Sequence, residues 1–361
     1  MGVSPFPYQG PLEPAQVRGR DDLLANLTAQ VTEHKVTALL GPRRFGKTSV
    51  LGRLAADLTE VCTVTIDLFG VQTHGDVATR MSEAMRDADA QVRDSALQLS
   101  VQAGIDLFGV KVQLAGPPSK RPDERALFER VVETLVGVAQ RTPLLVIFDE
   151  FQSITAVEGA TAVLRTHLQH HYSEMGLIFA GSAPSAMRDV FTRHDQPFFN
   201  QADLITVEPL GRPAVHQIVN EGFVATGRDP GGVADQIFGL TQGHPQRTMR
   251  AADEVWRHTD PGQRADEHWG QSLISLRHAE ASVLAATYED LSSTEKKVVR
   301  ICANHQAIFG AAAERLALSP GSATYARDSL LADGKLRKNS DAELVVTDPL
   351  LSDWVAQQLP L

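Results

Sequence analysis

The chain has 361 residues, with 44 acidic against 34 basic side chains and a formal net charge of −10. That length predicts two or three domains, and 43% hydrophobic against 22% charged residues describes a chain that can bury large cores. The acidic balance argues against a protein that coats nucleic acid through overall charge, and leaves only local basic patches for such contacts.

Residues 1–16 are rich in proline and glycine and read as an extended arm. They lack a basic stretch followed by an apolar run, so no signal peptide is expected. Val17-Arg18-Gly19-Arg20-Asp21-Asp22-Leu23-Leu24 then opens an amphipathic helix to about Val31, and the apolar run at residues 36–40 predicts a buried parallel strand. Gly41-Pro42-Arg43-Arg44-Phe45-Gly46-Lys47-Thr48 follows and fits G-x-x-x-x-G-K-[ST] at every required position. In this pattern glycines let backbone N–H groups turn inward onto phosphates, Lys47 reaches the β- and γ-phosphates, and the Thr48 hydroxyl takes a magnesium position. Val50, Leu51, Leu54, Ala55 and Leu58 continue at helical spacing. The loop therefore lies between a strand and a helix N-terminus, where the positive dipole end faces an anion. The ligand implied is a nucleoside triphosphate with magnesium.

Residues 61–69 alternate in the manner of a second strand. Residues 75–114 read as helical until Gly104, with a hairpin or loop suggested at residues 109–114, a linker at 116–122 and a helix at 123–141. The most hydrophobic short run, residues 144–148, ends in Asp149-Glu150. Asp149 is placed to hold magnesium through water and Glu150 to polarise the attacking water, although aspartate also suits the cap of a following helix. A third strand at residues 176–180 leads to Gly181-Ser182. Ser182 is either a sensor of the γ-phosphate at a strand C-terminus or a serine closing a loop.

Residues 204–207 read as the last core strand, and helices dominate from Arg212 to Thr287, interrupted at Gly243-His244-Pro245. Ser292-Ser293-Thr294-Glu295 has the form of a capping box. A short helix near residues 311–316, a turn at 318–321, a helix from Ser322 to Ala332 and two strands around Lys335-Leu336-Arg337-Lys338 and Glu343-Leu344-Val345-Val346-Thr347 follow the order of a winged helix. Tyr325 and Arg327 lie on the supposed recognition helix with Asp328, and Lys296, Lys297, Arg300, Lys335, Arg337 and Lys338 are available for phosphates. Residues 286–361 nevertheless hold eight basic against ten acidic side chains. Cys62 and Cys302 are far apart in no metal-like spacing, which suits a reducing cytoplasm. No apolar stretch approaches the ~20 residues that span a bilayer.

Taken in order, these motifs resemble the archaeal-type ATPases of the STAND class, within the AAA+-related P-loop NTPases. Val17 to Leu24 looks like the family's Gly-Arg box near the adenine, and residues 41–49, with Ser49, are similar to its double-arginine P-loop. Leu145-Val146-Ile147-Phe148-Asp149-Glu150-Phe151-Gln152 resembles its Walker B strand, Gly181-Ser182 its sensor turn, Gly243-His244-Pro245 its lid signature and Thr347 to Trp354 its C-terminal ending. The resemblance implies a parallel α/β core at 17–207 after an arm at 1–16, a helical lid at 208–287 and a winged helix at 288–361. It implies ATP and Mg2+ as ligands, with Arg18 and Pro245 near the base; no Asn-Lys-x-Asp guanine motif is present. Where many members carry Gly-Arg-Ala, this chain reads Phe198-Phe199-Asn200-Gln201-Ala202, so no trans arginine carries over there. Arg188 and Arg193 lie nearby as alternatives, and Arg247 and Arg250 are candidates for a lid arginine at the γ-phosphate; helical spacing does not choose between them. No Met-His-Asp motif is found.

The expected activity is an ATP-driven switch that passes its nucleotide state to a protein partner, with ATP-dependent self-assembly as one route. A DNA-acting AAA+ protein and a slow, nucleotide-held scaffold are the alternatives. Nothing resembles the acceptor-binding domain of a metabolic kinase.

Overall fold

The computed structural model describes residues 2–103, 123–339 and 341–361. Around the glycine-rich loop, the chain runs α1 (Asp21–Thr32), β1 (Val36–Leu40), α2 (Lys47–Asp57), β2 (Cys62–Asp67), α3 (His74–Asp87), α4 (Ala90–Ala103) and α5 (Glu124–Ala139). It continues through β3 (Leu144–Asp149), α6 (Ala160–Leu168), β4 (Gly176–Gly181), α7 (Pro184–Thr192) and β5 (Asp203–Thr206). The five strands form one sheet in the order β2-β3-β4-β1-β5, and every pairing is parallel. Parallel neighbours need long crossovers, and the intervening helices supply them. Strands β1 and β4 are buried along their whole length, the expected state of a parallel strand covered on both faces. At the sheet edges the pattern changes: β2 buries Val64 and Ile66 alternately, and β5 exposes Asp203, Leu204 and Thr206.

Two compact units divide the chain. Residues 22–41 and 50–207 form the sheet unit, and residues 1–21, 42–49 and 208–361 form a mainly helical one. In the sheet unit, Phe148, Phe151, Phe179, Phe191 and Phe198 are all buried and pack ring against ring, Phe151 and Phe179 at 4.3 Å between centroids. Edge and tilted geometries of this kind add to the burial of each ring. The expected hairpin at 109–114 and linker at 116–122 lie outside the described residues.

The helical unit contains α8 (Arg212–Ala225), α9 (Val233–Thr241), α10 (Pro245–His258), α11 (Trp269–Glu289), α12 (Ser293–Ala303), α13 (Ala311–Arg315) and α14 (Pro320–Ala332). An antiparallel pair, β6 (Leu336–Lys338) and β7 (Leu344–Val346), and α15 (Pro349–Gln358) complete it. Ser292 and Glu295 make the expected reciprocal capping box on α12. Helix α14 starts two residues earlier than expected, because Ser319 caps it and Pro320 takes the first helical position, where a missing N–H costs nothing. No helix was expected at α15, yet Asp348 caps it and Leu350, Leu351 and Val355 are buried. A single apolar core runs through this unit, from Val215, Val219 and Phe223 of α8 to Val298, Leu330 and Val355 near the C-terminus. The N-terminal arm joins it: Phe6 is 2% exposed and packs on Phe223 at 5.3 Å. Among the described residues no helix is long and apolar enough to cross a membrane.

Candidate functional site

The C-terminal ends of β1, β3 and β4 carry the candidate residues of the sheet unit. Gly41 follows β1, Asp149 ends β3 and Gly181 ends β4, with Leu40 in register with Gly181. The Glu150 N–H donates to Asp149 Oδ1 at 2.9 Å, and Glu150 turns the chain at φ +50°. A non-glycine residue in that left-handed region is a strained position that sequence alone does not reveal. The Glu150 carboxylate accepts two donors on one oxygen, Oε2: the Ser182 hydroxyl at 2.7 Å and the Gln152 amide. Buried Phe151, one residue on, anchors the turn in the phenylalanine cluster. Ser182, read as either a phosphate sensor or a loop-closing serine, is thus brought to Glu150.

In the other unit, the loop begun at Gly41 places Arg44 at φ +68° and Gly46 at φ +85°. Left-handed residues in such a run turn successive N–H groups into an anion-binding concavity. Lys47 is 6% exposed and its Nζ donates to the Pro42 carbonyl at 3.1 Å, while Arg43, Arg44 and Thr48 are exposed. The Ser49 hydroxyl accepts the Leu12 N–H at 2.9 Å, which pins the arm to the start of α2. Buried Phe45 stands edge-on to His244 at 4.9 Å.

A residue in the Gly-Arg box supports this loop in a way not anticipated. Arg20 is buried, and its guanidinium donates to the Phe45 carbonyl at 3.2 Å and the Glu208 carbonyl at 2.7 Å. Burial lowers its pKa to about 10, partly opposed by Glu208. Arg18, expected near the base, pairs with Glu221 of α8 at 3.1 Å and donates to the Ala15 carbonyl.

Gly243 has φ +73°, and a Cβ there would stand 2.0 Å from the Leu210 carbonyl oxygen, so only glycine fits. His244 follows as the cap of α10, its Nδ1 accepting the Arg247 N–H, and Pro245 takes the first helical position. Burial lowers the His244 pKa to about 4, against the pull of Asp348 and with a contribution from Arg247. The unfolded chain takes up this proton below about pH 6.5, and the folded chain resists it down to about pH 4. Stability contributed by neutral His244 is therefore present above pH 6.5 and lost as the pH falls toward 4, by ~3 kcal/mol. His244→Asn keeps a capping side chain that does not titrate. Urea unfolding at pH 7 and 4.5 should show a smaller acid loss in this variant than in the wild type; equal losses would remove His244 from the account.

Of the four candidate arginines, Arg247 and Arg250 are buried among carboxylates. Arg247 engages Asp348 through Nε at 2.9 Å and Glu280 through Nη1 at 2.8 Å. Arg250 engages Glu280 at 3.0 Å and Glu254 at 2.7 Å, with the Tyr8 ring 5.1 Å from its guanidinium carbon. Burial opposes the charge on Arg247, but Asp348 and Glu280 outweigh it and raise the pKa. Arg193 is exposed and pairs with Asp195 at 2.8 Å, and Arg188 is exposed on α7.

A five-stranded parallel sheet with flanking helices, a glycine-rich loop from β1 into α2 and a helical C-terminal region define an α/β P-loop NTPase fold. A Walker-type ATPase of Pyrococcus abyssi shares it, with 15% identity over 97% of this chain and 99% of that one and a TM-score of 0.70. More distant are Orc1 of Aeropyrum pernix, solved in complex with DNA (14% identity, 94% and 93% coverage, TM-score 0.49), and Cdc6p of Pyrobaculum aerophilum (13%, 98% and 98%, 0.48). No protein-family model and no curated protein matches the sequence.

Proposed function

We propose that this chain binds ATP with magnesium, hydrolyses it, and acts as a switch of the STAND/AAA+ type in the cytoplasm. The supporting observation is the loop 41–48 itself, which leaves a strand buried in a parallel sheet, turns through two left-handed residues and opens a helix at Lys47. Its N–H groups and Lys47 take the phosphates. The Thr48 hydroxyl and the Asp149 carboxylate are the hard oxygen donors that magnesium prefers. Magnesium, when bound, neutralises charge on the β- and γ-phosphates. Glu150 takes a proton from the attacking water, and Ser182 responds to the γ-phosphate. Residues 17–207 serve as the ATPase core, 208–287 as the lid and 288–361 as a winged helix.

The partner we favour is a protein, including a second copy of the chain, rather than DNA. Most cations of the C-terminal module are engaged internally. Lys296 pairs with Glu289, Lys335 with Asp333 and Arg327 with Asp328, while Arg300 donates to the Leu359 and Pro360 carbonyls and Lys297 to that of Ala317. Phosphate binding would have to break these pairs, in a module already net acidic.

Lys47→Ala should weaken binding of a fluorescent ATP analogue by roughly 10²-fold, since a charge-assisted contact to phosphate is lost. Chelation of magnesium should abolish turnover in the wild type. Unchanged affinity in Lys47→Ala, or turnover stimulated several-fold by duplex DNA, would overturn the respective part of the proposal.

A further inference from the structure

Glu150 is held by more than the serine that follows β4. Its Oε2 also accepts the amide of Gln152, two residues on in the same turn. The other end of that amide, Gln152 Oε1, is buried without a hydrogen-bond partner among the described residues. It occupies the space above Gly181, where a Cβ would lie 2.3 Å from Oε1. An orphaned buried carbonyl costs stability. Here that cost accompanies a side chain aimed past a required glycine so that its N–H meets one carboxylate oxygen. Filling space or capping the turn does not require this orientation.

A serine hydroxyl has a single O–H to donate. Ser182 gives its O–H to Glu150, so it can donate to a γ-phosphate only by releasing the carboxylate. Gln152 has no such competing duty. With these two donors on Oε2, the second oxygen, Oε1, is the one that the hydrolytic reading gives to the attacking water.

We propose that Gln152 is a positioning residue for the water-activating step: it keeps the Glu150 carboxylate oriented while the Ser182 hydroxyl exchanges Glu150 for the γ-phosphate. This rests on Glu150 serving ATP hydrolysis as set out above. A general base displaced by about an ångström loses up to ~10²-fold in rate, whereas phosphate binding by the loop at 41–48 does not involve Gln152.

The test is steady-state ATP turnover with magnesium for the wild type, Gln152→Ala, Glu150→Gln and the double variant, each checked for the wild-type melting temperature. Expected is a fall in kcat of roughly 10- to 100-fold for Gln152→Ala with KM for ATP unchanged. In the Glu150→Gln background the same change should have little further effect, because the group it positions is already gone. Gln152→Asn, whose shorter amide can rotate toward Glu150, should recover part of kcat; a merely structural role predicts no such split and no such non-additivity. An active wild type with unchanged kcat in Gln152→Ala, or additive losses in the double variant, overturns the inference alone. A wild type that binds ATP but does not turn it over overturns the hydrolytic reading and this inference with it.

Discussion

Replacing Glu150 by Gln is expected to lower ATP turnover by roughly 10²–10⁴-fold, the usual contribution of a placed general base. ATP affinity should stay close to the wild-type value, because the proposal assigns the phosphate contacts to the loop at 41–48. The substitution conserves shape, and a glutamine carbonyl can still accept the hydrogen bond that Ser182 now gives to Oε2. The capacity to take a proton is removed together with the negative charge. Turnover measured beside equilibrium binding separates the two quantities. Equal turnover in the two proteins would remove Glu150 from the chemistry, and a parallel loss of affinity would make it a binding group.

The second large effect lies at Asp348. Its two carboxylate oxygens accept from Nε and Nη2 along one edge of the Arg247 guanidinium, and Oδ1 also caps α15 by accepting the Leu350 N–H at 3.0 Å. Arg247 is 4% exposed, and Glu280, its other partner, is shared with Arg250. Asp348→Asn therefore leaves a buried cation short of one counter-charge while the cap is kept. Losing one member of a buried ion pair costs about 3 kcal/mol, and urea unfolding at neutral pH should show a loss of that size. Asp348→Ala should cost about 1 kcal/mol more, for the lost cap. If Asp348→Asn unfolds like the wild type, water or Glu280 already satisfies Arg247 and the pair contributes nothing.

The contrast between these two sites shows what could be read in advance. Asp149 and Glu150 were legible because they end an apolar run of strand length, and a parallel strand buried on both faces leaves few alternatives for such a run. Arg247 was read, with Arg250, as a candidate lid arginine at the γ-phosphate, and not as a partner of Asp348, which lies 101 residues away in sequence. Four rotatable bonds give its guanidinium many destinations, and helical spacing restricts none of them. Gln152 was visible just after β3, yet the placement of its amide depends on the left-handed turn at Glu150 and on the space over Gly181, which its Oε1 shares with Met187. Helix α15 could have been found: Asp348 and Pro349 start it, and Leu350, Leu351, Trp354 and Val355 repeat at helical spacing.

Readable in the residues alone were the turn of the loop at 41–48, the adjacent carboxylates after β3, the strands preceding them and the capped helix at Ser292. Each of these is set by a local requirement: a backbone turn, a capping oxygen, or burial of an uninterrupted apolar run. The tertiary structure alone decided the strand order, the burial of Phe6 in the helical core, the two donors on Glu150 and the carboxylates around Arg247 and Arg250. Those depend on which segments meet across long separations, and for long polar side chains the deciding energy is the pairing of groups that burial has cut off from water.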